Sequence, residues 1–260
     1  MKSIRDMEMN KPIYDVNGIV LYNADVMEIM AGMADESVDL ICTDPPYRVT
    51  TKGTSGSMGG YWKSKKAGNG RIFNDNDIQF SDYMPEFFRI LKDGTHCYVM
   101  VNHINLIECL NAAMNAGFKF IKSLIWDKGN KICGRFYMNC FEYILMFRRG
   151  AARDINDFST PDILSIPIKK LKNPDGSNMH DTEKPVDLMK ILVRNSSNAG
   201  DLVFEPFAGI GSTLIASKEL NRKCIGCEIN DTYAEIIVKR LDDKIKNILD
   251  QNEPGQIELF

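Results

Sequence analysis

Two short apolar runs, far apart in the chain, each stop in residues that end a strand and turn the backbone sharply. Val38 to Cys42 runs into Thr43-Asp44-Pro45-Pro46-Tyr47. Asp201 to Val203 runs into Phe204-Glu205-Pro206-Phe207-Ala208-Gly209-Ile210-Gly211-Ser212-Thr213. Strand-like and helix-like segments alternate around both. Gly18 to Asn23, Thr95 to Val101, Phe118 to Trp126, Glu142 to Phe147 and Lys223 to Cys227 read as further strands. Val26 to Met33, Tyr83 to Leu91, Leu106 to Asn115, Pro185 to Ser196, Ser212 to Leu220 and Thr232 to Ile248 read as helices. Such alternation predicts an α/β fold, a doubly wound and mostly parallel sheet with helices on both faces. Residues 1–249 read as a single domain, and 250–260 as a tail.

Length and composition exclude several classes. The 260 residues can bury one large core. No apolar stretch approaches the roughly 18 residues of a membrane span, and Met1 to Asp6 lacks the apolar core of a signal peptide. A cytoplasmic protein is expected. Seven scattered cysteines read as reduced thiols. Cys224-Ile225-Gly226-Cys227 has metal-ligand spacing but lies in a strand-like run without a second pair, so a core strand is expected and no metal.

The net charge of −3 conceals an uneven distribution. From Arg48 to Asn74 there are six basic residues (Arg48, Lys52, Lys63, Lys65, Lys66, Arg71) and no acidic one. Lys119 to Arg149 holds seven basic residues, including Lys128, Lys131 and Arg135, against two acidic ones. Basic faces on an acidic protein suit a polyanion partner.

The Gly209-Ile210-Gly211 turn between a strand and a helix lets backbone approach a bound nucleotide, which a Cβ would obstruct. It lacks the third glycine of the dinucleotide fingerprint. Glu228, at the end of the next strand, is placed to accept hydrogen bonds from ribose hydroxyls. A nucleoside cofactor is expected here.

Asp44-Pro45-Pro46-Tyr47 has a different logic. Proline offers no N–H and fixes φ, and it holds the preceding residue extended. The turn is rigid, and its carbonyl oxygens lack local donors. Asp44 adds a carboxylate acceptor and Tyr47 an aromatic face. Two acceptors beside a stacking platform suit an amino group on a planar base. Accepting both its hydrogens turns the nitrogen lone pair away from the ring and toward an electrophile.

These motifs together resemble those of amino-type DNA methyltransferases, adenine-N6 or cytosine-N4, of the permuted β-group. Asn23-Ala24-Asp25 is similar to the family's motif on the adenine side of the cofactor. Asp39 to Tyr47 is similar to its catalytic motif, His180-Asp181-Thr182-Glu183-Lys184-Pro185 to the element before the cofactor loop, and Glu205 to Gly211 to the loop itself. Cys227-Glu228-Ile229 is similar to the acidic strand end. Two departures stand out: Glu205 where Asp is usual, and Asp181 where Pro is usual.

The resemblance implies a seven-stranded Rossmann-like methyltransferase sheet and S-adenosylmethionine as cofactor. Its binding residues would be Asp25, Asp44, Lys184, Glu205, Pro206, Phe207, Ala208, Gly209, Gly211, Ser212, Thr213, Glu228 and Ile229. It implies catalysis by Asp44, Pro45, Pro46 and Tyr47 on a base flipped out of double-stranded DNA. Asp in the first catalytic position favours adenine N6, since Ser is commoner in cytosine-N4 enzymes. The alternatives are cytosine N4, an RNA or protein amide substrate, and a non-catalytic DNA-binding protein. The resemblance also implies a homodimer.

Residues 48–80, rich in glycine and lysine, are expected to form a mobile DNA-contacting loop, and 148–183 a short target-recognition insertion. The basic residues named above are the expected DNA contacts. The terminal Gln256-Ile257-Glu258-Leu259-Phe260 is similar to the peptide that bacterial sliding clamps bind, so a clamp is an expected partner.

Overall fold

The computed structural model describes residues 11–46, 78–132, 137–151, 153–168 and 183–242. Its strands are β1 (Tyr14–Val16), β2 (Ile19–Tyr22), β3 (Val38–Thr43), β4 (Leu91–Val101), β5 (Lys119–Ile132), β6 (Asn139–Arg148), β7 (Ile163–Ser165), β8 (Leu202–Glu205) and β9 (Lys223–Cys227). The helices described are α1 (Val26–Gly32), α2 (Phe80–Ile90), α3 (Leu106–Ala116), α4 (Val186–Ser196), α5 (Ser212–Glu219) and α6 (Asp231–Leu241). All nine strands form one sheet in the order β1-β2-β9-β8-β3-β4-β6-β5-β7. β1 runs antiparallel to β2, and β6 runs antiparallel to both its neighbours; the remaining pairings are parallel. The doubly wound, mostly parallel sheet is as expected.

Alternation along the strands divides the core into two layers. Leu40, Cys42 and Cys224 pack with Leu188, Leu192, Leu214 and Ile237 of α4, α5 and α6. Ile41, Val99 and Cys227 pack on the other face with Met30, Phe87 and Ala113 of α1, α2 and α3. Cys224 and Cys227 thus lie in different layers, and burial pushes both thiols well up. A strand's alternation separates what the CxxC spacing suggests is together, and the core-strand reading holds.

Helix ends follow from local chemistry. Asp25 caps α1, its Oδ1 accepting the Met27 N–H at 2.8 Å, and Asn230 caps α6 through the Tyr233 N–H at 3.1 Å. Gly117 ends α3 at φ 107°, where a Cβ would meet the Phe88 ring at 2.9 Å. Arg149 covers the end of α2, donating to the carbonyls of Phe88, Arg89 and Leu91 at 2.8, 3.0 and 2.6 Å.

Three segments differ from expectation. The sheet has two short edge strands, β1 and β7, beyond the seven implied by the resemblance. The two strands read as Phe118 to Trp126 and Glu142 to Phe147 are longer than expected: β5 continues to Ile132 and β6 begins at Asn139, and these two residues pair. Part of 148–183, read as an insertion, belongs to the sheet: Ile163-Leu164-Ser165 pairs with Ile125-Trp126-Asp127, and Leu164 is buried. A three-residue strand is too short to show a period against a polar background.

β3 and β8 are neighbours, pairing Leu40 with Val203 and Ile41 with Phe204. From β8 the chain winds through α5, β9 and α6 on one face. From β3 it winds through α2, β4 and α3 on the other. The winding direction reverses between these two strands, and there the carboxyl ends of an open α/β sheet leave a crevice for ligands.

Candidate active site

The two motifs of the sequence meet at this crevice. Thr43, the last residue of β3, donates from Oγ1 to Glu205 Oε1 at 2.6 Å. Thr213, in the first turn of α5, donates to Oε2 at 2.5 Å, and Phe207 N to Oε1 at 3.2 Å. Glu205 is 4% exposed. Burial pushes its carboxyl up to about 8, against the pull of these hydrogen bonds. The longer acid standing where Asp is usual is therefore covered and ties the cofactor loop to the catalytic strand.

The loop itself carries Gly209 and Gly211 at φ 56° and 87°. A Cβ on Gly211 would stand 2.9 Å from Ile237 Cγ2. Pro206, Ala208, Ser212 and Thr213 are buried beneath the turn. Phe207 lies edge-on to Tyr83 of α2, with ring centroids 5.2 Å apart. Arg240 of α6 donates to Ile210 O at 2.5 Å and pairs with Glu183 at 3.3 Å, bracing the loop from below. Glu228, just after β9, accepts Gly209 N at 2.7 Å and Asn230 N at 2.8 Å. Ile229 beside it is 51% exposed, an apolar surface that a purine face could cover. Asn23 donates to the Glu228 carbonyl at 2.9 Å, joining the β2 end to this corner. Asp25 is exposed and serves as the α1 cap. These residues fit S-adenosylmethionine: a glycine cradle, a ribose acceptor and an apolar platform in a row along the strand ends.

Asp44 extends from β3 into the same crevice, with Pro45 buried behind it. Its Oδ2 accepts a hydrogen bond from Lys184 Nζ, while its Oδ1 is buried with no hydrogen-bond partner among the described residues. Lys184 Nζ also lies 3.4 Å from Glu142 Oε2, and Lys128 Nζ donates to Glu142 Oε1. Burial pushes Asp44 up to about 6, opposed by Lys184 and assisted by Glu142. Burial works to lower Lys184, and its two carboxylates more than offset this, keeping it a cation. Burial likewise works to raise Glu142, and the two lysines outweigh it, holding it below the usual range.

Lys128 therefore departs from the expected solvated DNA contact: its side chain is 12% exposed and its charge is turned onto Glu142. Lys131 is exposed on the hairpin. Tyr47, Arg48, Lys52, Lys63, Lys65, Lys66, Arg71 and Arg135 lie outside the described residues, as do His180 to Thr182 and Gln256 to Phe260. Sequence reading singles out neither Thr43 nor Glu142, Glu183 and Arg240 as site residues. Glu142 had one signal, a carboxylate entering the apolar run Tyr143 to Phe147.

A family model described as DNA methylase matches residues 38–239. The chain belongs to the N6/N4 DNA methylase family. Among relatives of this methylase, the Type II methyltransferase M2.DpnII of Streptococcus pneumoniae is 27% identical over 90% of this chain and 93% of its own length. The Type II methyltransferase M.HinfI of Haemophilus influenzae is 27% identical over 97% of this chain and 74% of its own. Two solved structures share the fold. The M1.HpyAVI–SAM complex has a TM-score of 0.63 at 21% identity, over 85% of this chain and 98% of the other. The PvuII DNA methyltransferase, named as cytosine-N4-specific, has 0.70 at 16%, over 88% of each. The methylase uses S-adenosylmethionine. No helix among its described residues is long and apolar enough to cross a membrane.

Proposed function

We propose that this methylase transfers the methyl group of S-adenosylmethionine to the N6 amine of an adenine taken out of double-stranded DNA. The observation that carries this reading is Asp44 Oδ1, a buried carboxylate oxygen without a hydrogen-bond partner among the described residues, beside a sibling oxygen anchored on Lys184. A buried acceptor left unmade is costly unless a ligand satisfies it.

Glu228, Ile229 and the Gly209 to Gly211 turn hold the cofactor, which when bound supplies an electrophilic methyl group. Asp44 Oδ1 accepts one amine hydrogen and the Pro45 carbonyl the other. The nitrogen lone pair then points out of conjugation with the ring, toward the cofactor. Tyr47 stacks on the base. Its amine is paired inside a duplex, so the base leaves the stack to react. Orientation of two bound reactants contributes most of the rate, and Asp44 stabilises charge developing on the nitrogen.

The β5–β6 hairpin supports a DNA partner. Thr43 is level with Val99, Val99 with Leu145, and Leu145 with Ser123. The β6 arm from Leu145 to Asn139 therefore rises about 20 Å past the end of β3. Phe141 on this arm and Tyr137 and Met138 just before it are 41%, 89% and 58% exposed, and Lys131 near the end of β5 is exposed too. Aromatic and apolar side chains with a cation suit base stacking and phosphate contact. The homodimer implied by the resemblance is part of the same reading, and sedimentation of the purified chain tests it.

Cytosine N4 is the second reading, supported by the family's covering both N6 and N4 amines. Methyl-labelled S-adenosylmethionine and unmethylated DNA, digested to nucleosides after reaction, separate the two. Label in N6-methyladenine is expected. Label in N4-methylcytosine keeps the site and changes the base, and unlabelled DNA overturns both.

A further inference from the structure

Four charged side chains at the site form an alternating row: Lys128, Glu142, Lys184, Asp44. Their side chains are 12%, 16%, 7% and 21% exposed. The indole of Trp126 lies beneath both ammonium groups, 5.3 Å from Lys128 Nζ and 5.9 Å from Lys184 Nζ. Its Nε1 donates to Ile166 O at 2.8 Å, which fixes the ring against the segment after β7. Each interior member of the row touches two opposite charges, and the four sum to zero. Burying charge is tolerable in this arrangement, whereas removing one member strands a neighbour.

With Asp44 read as the amine acceptor, as above, we propose that Glu142 and Lys128 are positioning residues for the methyl transfer. Glu142 holds the Lys184 ammonium at a fixed place on Asp44 Oδ2, and Lys128 sets how strongly Glu142 competes for it. Oδ1 is thereby kept turned to the crevice as a free acceptor. Without Lys128, Glu142 draws Lys184 away and Asp44 loses its counter-charge. Without the Glu142 charge, Lys184 belongs to Asp44 alone and grips it more tightly.

The two losses have opposite effects on Asp44. The ionisable groups facing it are Lys184 before α4, Glu142 on β6, Lys128 on β5, Glu205 on β8 and Tyr83 on α2. Only the row members change in the test. Asp44 is titrated by carbon NMR of protein labelled at its aspartate carboxyl carbons, the signal assigned with Asp44→Asn. Glu142→Gln should lower the Asp44 midpoint by about half a pH unit or more, and Lys128→Met should raise it by a similar amount. Lys128→Arg, which keeps the charge, should stay with the wild type. In parallel, kcat on DNA should fall about tenfold in Glu142→Gln with the KM for S-adenosylmethionine within about twofold. The acid limb of kcat should follow the Asp44 midpoint in each variant. A midpoint that stays put in both variants, or moves the same way in both, overturns the positioning role. Opposed midpoints with an unmoved kcat limb leave the row intact and instead overturn Asp44 as the amine acceptor.

Discussion

Replacing Glu205 by Gln removes a carboxylate that the fold holds in its protonated form near neutral pH. Its folded value is about 8 against an ordinary 4.5, because burial outweighs the hydrogen bonds from Thr43, Thr213 and Phe207. The raised value means the native state binds the proton more tightly than the unfolded chain. Stability from this group is complete below about 4.5 and is lost as pH rises through 8. At pH 7 about 1 kcal/mol of it remains and at pH 9 almost none, so the wild type loses about 1 kcal/mol over that interval. Glutamine keeps the shape: its carbonyl accepts from Thr43 and Phe207, and Thr213 reverses to accept from the amide. The mutant has no such loss. Five buried thiols, Cys42, Cys97, Cys109, Cys224 and Cys227, also sit above their ordinary values and weaken both proteins as pH rises. Only the difference between the two proteins is therefore informative. Asp44 at about 6 and His96 at about 4 have largely titrated by pH 7. With an m-value of about 3 kcal/mol/M, the urea midpoint of the wild type should fall about 0.3 M further than the mutant's between pH 7 and pH 9. Parallel midpoints across that range would refute the account of Glu205 as a buried, proton-holding tie between β3 and α5.

Asp44→Ala should reduce methylation below detection while isothermal titration still records S-adenosylmethionine binding, because the ribose and glycine-loop contacts are untouched. Gly211→Ala forces a side chain into φ 87° and against Ile237, and should cost about 1–3 kcal/mol in denaturant unfolding. Arg149→Met strips the donor from three carbonyls at the end of α2 and should lower stability by about 2–4 kcal/mol, read as a drop in urea midpoint. Tyr137→Ala with Lys131→Ala should weaken DNA binding about tenfold or more in fluorescence anisotropy without altering the cofactor's affinity.

Local pattern determined much of this protein. The run Val38 to Cys42 with its Pro-Pro turn, the Gly209 to Gly211 turn and the alternation around them specify a doubly wound sheet. They also place Asp44, Glu205 and Glu228 at strand ends, because strand period, proline and glycine act within a few residues. The capping of α1 by Asp25 is equally local. What the tertiary structure decided depends on groups brought together from distant positions. Thr43 meets Glu205 only because β3 lies beside β8, and burial there makes a cofactor-motif acid into a covered tie. Lys128 looks like a DNA contact in a basic stretch, yet the β5–β6 pairing sets Trp126 opposite Glu142, and Lys128, two residues further along β5, reaches Glu142 diagonally and spends its charge inside the site. Glu142 and Lys184 have no local motif in common, and only the fold places one 3.4 Å from the other. Charge states depend on burial and on neighbours across the sheet, and neither is a property of a short stretch of sequence.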